Sequence, residues 1–160
     1  MTASHTVAVL GGGSFGTVIA NIIAGNGNRV SLWLRNAGRA DAINQQRRNL
    51  EYLPEYPLHD ALSATVSLRE AVDGVDIILV AVPSKSFREV VRELSGLVSG
   101  DAVLISLTKG IEAKGFRLMS EILKEEMPDN PLGVLSGPNL AGEIAAGHVT
   151  GSVIASEIPA

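Results

Sequence analysis

The feature that most constrains this chain is a run of glycines placed where a strand must become a helix. Val7-Ala8-Val9-Leu10 is short and apolar, and it runs directly into Gly11-Gly12-Gly13-Ser14-Phe15-Gly16. Beyond it, Phe15, Val18, Ile19, Ile22 and Ile23 recur at helical spacing until Gly25-Asn26-Gly27-Asn28 stops the pattern. In a G-x-G-x-x-G loop each glycine has a separate task. Gly11 permits the tight turn, Gly13 lets a pyrophosphate approach the backbone, and Gly16 lets the helix pack closely on the strand. Amides of Ser14 and Phe15 then face the anion, helped by a helix dipole worth roughly half a positive charge. The alternative is a turn that serves backbone geometry alone. The strand before it, the stripe after it and a second strand at the expected distance favour a dinucleotide-binding loop. No Gly-Lys-Ser/Thr closes the segment, so it is not a P-loop.

The rest of the chain alternates β-rich runs with segments of helical period, which predicts βαβ units. Strands are expected at Thr6 to Leu10, Arg29 to Leu34, around Ala64 to Val66, Asp76 to Val82, Ala102 to Ser106 and Leu132 to Leu135, with a last β-like run at Ser152 to Ala155. Ile77 to Val82 is apolar throughout, as a central parallel strand covered on both faces should be. Phe87, Val90, Val91 and Leu94 mark a second helix, with Ser86 and Glu89 as a capping box at its start. Phe116, Met119, Ile122 and Leu123 mark a third, closed by Pro128-Asp129-Asn130-Pro131, and a short helix passes through Leu140 and Ile144. The fold class is α/β: a Rossmann-type doubly wound, mostly parallel sheet with helices on both faces.

Bulk properties narrow the function classes. A chain of 160 residues is one ordinary domain, and 46% hydrophobic with 19% charged residues is the composition of a folded globular protein. A net charge of −4 argues against a nucleic-acid surface. There is no cysteine, which excludes disulfides and thiolate metal sites and suits a reducing cytoplasm. His5, His59 and His148 are isolated, with no metal-ligand spacing, and no apolar run approaches the roughly 18 residues that span a bilayer. A soluble, cytoplasmic protein without a metal is expected.

The second strand bears on which dinucleotide is held. NAD-preferring domains usually end it on Asp or Glu, set against the ribose hydroxyls. Here it reads Leu32-Trp33-Leu34-Arg35-Asn36. A guanidinium at Arg35 can grip a 2′-phosphate with charge-assisted hydrogen bonds, so NADPH is expected to be preferred, with NADH still accepted. The competing reading makes Arg35 a solvated residue at a strand end.

Six segments together resemble the bacterial NAD(P)-dependent glycerol-3-phosphate dehydrogenases over nearly the whole chain. They are Gly11-Gly12-Gly13-Ser14-Phe15-Gly16-Thr17, Leu32-Trp33-Leu34-Arg35, Asn49-Leu50-Glu51-Tyr52-Leu53-Pro54, Val80-Ala81-Val82-Pro83-Ser84, Thr108-Lys109-Gly110-Ile111-Glu112 and Ser136-Gly137-Pro138-Asn139-Leu140-Ala141. The resemblance implies reduction of dihydroxyacetone phosphate to sn-glycerol 3-phosphate, the backbone of glycerophospholipids. It implies cofactor contacts at Ser14, Phe15, Arg35, Lys109 and Ala141, and substrate contacts at Lys109, Gly137 and Asn139. Pro83 would lie at the nicotinamide end. Asn139 stands where Ser or Thr is usual in the family, Leu140 where Phe is common, and Glu55 where Gly is frequent.

By the same resemblance, residues 1–160 are the cofactor domain, and a second, helical domain would follow Ala160. That domain would carry the catalytic Lys and the groups for the substrate phosphate, so this segment alone would bind cofactor and turn over little. A homodimer of the full-length protein is compatible with this. Two rivals stand beside it: the first domain of another two-domain dehydrogenase, of the 6-phosphogluconate or ketopantoate type, and a non-catalytic NADPH-binding module.

Overall fold

The computed structural model describes residues 4–157. Its elements alternate as expected: β1 (Thr6–Leu10), α1 (Ser14–Gly25), β2 (Arg29–Trp33), α2 (Ala37–Gln46), β3 (Leu62–Thr65), α3 (Leu68–Val72), β4 (Ile77–Val80), α4 (Ser84–Leu94), β5 (Val103–Ser106), α5 (Met119–Glu126), β6 (Leu132–Ser136), α6 (Ala141–Ala145) and β7 (Val153–Ser156). The seven strands form one sheet in the order β3-β2-β1-β4-β5-β6-β7. All neighbours are parallel except β6 and β7, which run antiparallel with Val134 opposite Ala155. This is the doubly wound Rossmann-type arrangement.

Alternation along the strands divides the interior into two cores. From β1, Ala8 and Leu10 face one side, joining Ile78, Val80 and Leu104 of the central strands. Phe87, Val90, Val91 and Leu94 of α4 cover that layer, together with Met119, Ile122 and Leu123 of α5. Val7 and Val9 face the other side with Leu32 and Leu79, under Ala20 and Ala24 of α1 and Ile43 of α2. β4 is therefore buried on both faces, which explains its unbroken apolar run.

Several local expectations change. In α1 the buried positions are Gly16, Thr17, Val18, Ala20 and Ala24, while Ile22 is 43% exposed. Small residues fill the closest contact with the sheet, while Phe15, Ile19 and Ile23 of the expected stripe pack partly buried against the same core and only Ile22 turns outward. The capping box at Ser86 and Glu89 does not form. α4 begins three residues earlier, with Pro83 in the N-cap position, so both side chains lie inside the helix. Phe116 is not part of α5: it is 76% exposed with φ at 53°, and the helix opens at Met119. β3 starts two residues before the expected run, β4 is shorter at both ends, and α2 and α3 were not expected. The stripe in α2 is weak because only Ala40 and Ile43 are buried.

Candidate functional site

The order of strands reverses between β1 and β4, and in doubly wound sheets ligands bind outside the carboxyl ends of the strands at this switch point. A cleft of ≈ 660 Å³ lies there. The chain leaving β1, β2, β4 and β5 contributes Gly11, Leu34, Ala81 and Leu107 to its walls.

The glycine loop forms the floor. Gly11 has φ at +129°, and a Cβ on it would lie 2.4 Å from the Ala81 carbonyl oxygen. A Cβ on Gly16 would lie 2.0 Å from the Gly11 carbonyl oxygen. Both positions must be glycine for the loop to close and for α1 to reach the sheet. Gly13 differs. Its φ of −79° suits any residue, and nothing lies within 4 Å of where its Cβ would be. Neither backbone conformation nor crowding in the protein calls for glycine at Gly13. Asn49 braces the loop from below. Fully buried, it donates to the Gly12 carbonyl at 3.0 Å and to the Thr17 hydroxyl at 2.9 Å.

The helix starts differ in how they are capped. The Asn36 side chain caps α2 by accepting from the Arg39 amide, and Ser67 caps α3 through the Glu70 amide. No side chain caps α1 at Gly13, α4 at Pro83 or α6 at Leu140, and the start of all three lines the cleft. The first amides of a helix have no partner within it. Those of α1, at Ser14 and Phe15, thus open onto the cleft with a positive dipole end and no competing side-chain acceptor. These groups fit a diphosphate bridge.

Polar side chains stand around the rim. Arg35 lines the cleft 6.0 Å from the Trp33 ring and is paired with Glu89 of α4 at 3.3 Å. Both partners are more than half exposed. Lys109 follows Thr108, whose hydroxyl donates to the carbonyls of Val80 at 3.2 Å and Val82 at 2.8 Å. The Lys109 ammonium donates to the Gly137 carbonyl at 3.4 Å. Asn139 is 7% exposed; its Oδ1 accepts from Ser152 at 3.0 Å, and its Nδ2 is buried without a partner.

Of the residues singled out from the sequence, Gly11, Gly13, Ser14, Phe15, Gly16, Arg35, Pro83, Lys109, Asn139 and Ala141 come together in this one cleft. Gly137 does not line it, and its Cβ position lies 2.4 Å from the Gly151 carbonyl oxygen. Sequence reasoning missed Arg39, Tyr52 and Lys85, which also line the cleft. Arg39 pairs with Glu51 and lies 4.9 Å from the Tyr52 ring. An available signal was Asn36, an N-cap residue three positions before Arg39, which marks a helix starting at the cleft.

Fold and cleft together define a dinucleotide-binding α/β domain. The chain belongs to the family described as NAD-dependent glycerol-3-phosphate dehydrogenase N-terminus, whose model matches residues 6–160. It is 54% identical over 157 residues to glycerol-3-phosphate dehydrogenase [NAD(P)+] of Saccharophagus degradans, covering 98% of this chain and 44% of the relative. The enzyme of the same description from Teredinibacter turnerae is 52% identical, with 98% and 46% covered. Among solved structures, glycerol-3-phosphate dehydrogenase from Coxiella burnetii superposes with a TM-score of 0.92 at 37% identity, over 97% of this chain and 47% of that one. The chain thus spans less than half the length of these relatives. Among the described residues, no helix is long and apolar enough to cross a membrane.

Proposed function

We propose that this domain holds the cofactor of an NAD(P)-dependent glycerol-3-phosphate dehydrogenase that reduces dihydroxyacetone phosphate to sn-glycerol 3-phosphate. The observation that carries the reading is that Gly13, Arg35, Lys109 and Asn139, from four separate parts of the chain, line one cleft of ≈ 660 Å³. The names of the relatives support the same reaction. A bound nicotinamide supplies the hydride. This chain's residues hold the cofactor and set the charge around the reacting ketone.

Ser14 and Phe15 amides bind the diphosphate bridge, and Pro83 shapes the nicotinamide end. Arg35 binds the 2′-phosphate, which makes NADPH the preferred cofactor. Its pairing with Glu89 is no obstacle, because an exposed ion pair contributes only about 0–1 kcal/mol and is readily exchanged. Lys109 carries the positive charge that stabilises the oxygen of the ketone as it gains an electron pair. Asn139 Oδ1 accepts from Ser152, and its Nδ2 is the donor left without a protein partner. A buried donor without a partner costs about 1–3 kcal/mol, and an acceptor on the substrate relieves that cost. Asn in place of the usual Ser or Thr therefore retains the donor that the substrate needs.

On this reading residues 1–160 are the cofactor domain, and the helical domain of the full-length protein completes the substrate site. A reducing cytoplasm is the compartment that suits it. The test is oxidation of NADPH by the full-length protein with dihydroxyacetone phosphate. Turnover dependent on that ketone is expected; turnover on a ketoacid instead, with none on dihydroxyacetone phosphate, would move the assignment to the rival dehydrogenases.

A further inference from the structure

The densest charge cluster among the described residues lies outside the cleft, and no step above uses it. Arg88 of α4 grips Glu112 with both arms of its guanidinium, at 2.6 and 3.0 Å. It also bonds Glu126 at 2.7 Å and Glu125 at 2.8 Å, both on α5. Its side chain and that of Glu112 are only 24% and 21% exposed. Glu112, then Glu126 and Glu125, hold the Arg88 guanidinium well above its ordinary pKa. Arg88 in turn holds the Glu112 carboxyl below the usual range. Paired, forked ions of this kind fix geometry more strictly than a solvated surface pair does.

What the cluster fixes is the loop that carries Lys109. Before Lys109, Thr108 is tied to the end of β4 by its hydroxyl. After it, Gly110 turns with φ at +123° and packs against Ser84, the first residue of α4, with its Cβ position 3.2 Å from the Ser84 hydroxyl. Glu112 then reaches Arg88, one turn further along the same face of α4. Beyond that the chain doubles back, with the Glu112 amide donating to the Arg117 carbonyl at 2.8 Å and Ile111 bridging to Leu118. Lys109 and its neighbours in this loop are otherwise exposed and contribute little to either core. An exposed loop with few apolar contacts stays put only if other bonds hold it.

We propose that Arg88 is a positioning residue for Lys109, holding it at the mouth of the cleft by gripping Glu112 three residues further along the loop. Its kinetic consequence rests on the dehydrogenase reading above; its structural consequence does not. Releasing the grip leaves the glycine loop and Arg35 in place, so cofactor affinity should survive. The ammonium would be misplaced relative to the ketone, and misplacement on the scale of an ångström costs as much as about a hundredfold in rate.

The experiment compares Arg88→Met, Glu112→Gln and Arg92→Met in the full-length protein. Arg92 is the control: it sits one turn on in α4 and bonds Glu126 at 2.8 and 3.0 Å, but it does not touch the loop. Expected for Arg88→Met is a fall in kcat of about tenfold or more with dihydroxyacetone phosphate, while the Kd for NADPH changes by less than about twofold. Glu112→Gln should fall in the same direction, and the double variant should be no worse than Arg88→Met alone. Arg92→Met should retain wild-type kcat even if its Tm drops.

Equal effects of Arg88→Met and Arg92→Met, or parallel losses in NADPH affinity and kcat, would overturn the proposal. If the wild-type protein does not reduce dihydroxyacetone phosphate, the functional reading fails by itself, and amide exchange still decides the grip. Residues 109–118 should exchange faster in Arg88→Met and Glu112→Gln and not in Arg92→Met; unchanged exchange in all three would refute the proposal.

Discussion

The floor of the cleft and its rim are built on different principles. On the floor, backbone meets backbone: Gly11 and Gly16 lie where a Cβ would come within 2.4 and 2.0 Å of a carbonyl oxygen. Asn49 fastens the loop from the buried side. On the rim, charged side chains pair with one another, Arg35 with Glu89 in an exposed pair and Arg39 with Glu51 in a more sheltered one. The floor is a shape with little freedom to change. The rim is a set of exchangeable partners, and on the proposed reading it would discriminate between ligands that the floor accepts alike.

The sharpest way to break that contrast is to crowd the floor. Gly16→Ala forces either α1 or the loop to move, at a cost of at least about 1–3 kcal/mol, and nucleotide binding should vanish with the geometry. Thermal unfolding read beside NADPH binding checks it; an unperturbed Tm would show that the packing is looser than the distances imply. Gly13→Ala separates shape from stability. No protein atom lies near the new methyl group, so the loss of stability should stay under about 1 kcal/mol, the scale of a changed N-cap. Affinity for NADPH and NADH should nevertheless fall together, by about tenfold or more.

Changes at the rim should be smaller and selective. Arg35→Ala is expected to weaken NADPH by about tenfold while leaving NADH nearly unaffected, since hydrogen bonds to charged groups contribute roughly 1.5–3 kcal/mol. Equal losses for the two nucleotides would count against Arg35 as the 2′-phosphate ligand. Glu89→Gln, which frees Arg35, should tighten NADPH by no more than about fivefold.

The smallest effect is one of pH, away from the cleft. Arg92, then Arg88, lower the Glu126 carboxyl to a pKa of about 2, whereas in the unfolded chain it titrates in the ordinary carboxylate range. The unfolded state therefore binds the proton first as pH falls. Stability from this pair is complete above the unfolded pKa and is lost on the way down to about pH 2. Thermal melts across that interval should show a shallower acid dependence in Arg92→Met than in the wild type.

The same contrast explains what could be read in advance. The glycine loop, the double-sided β4 and the order of strands and helices follow from constraints that a short window of sequence contains: periodicity, glycine spacing and an unbroken apolar run. α2 was missed because its partners are mostly solvent, leaving only Ala40 and Ile43 to mark a buried face. The capping box at Ser86 failed because Pro83, with its φ already fixed near the helical value, sets the start of α4 earlier. Phe116 has helical spacing to Met119 but lies in the loop after Gly115, where the chain takes two consecutive positive φ angles. Tyr52 and Arg88 could not be assigned because their partners are fixed by the fold, and for Arg39 the one local signal was the Asn36 N-cap. Arg88 and Glu112 are 24 residues apart, and only the packing of the loop on α4 brings them together.

The central claim is that backbone amides at the start of α1, reached past an open Gly13, hold a dinucleotide diphosphate without a side-chain cation beneath it. Titration calorimetry of the folded wild-type chain with NADPH and with NADH tests this most directly. Saturable binding of both, tighter for NADPH, is the predicted result. Absence of binding heat for either nucleotide at about millimolar concentration, from protein shown to be folded, would contradict it.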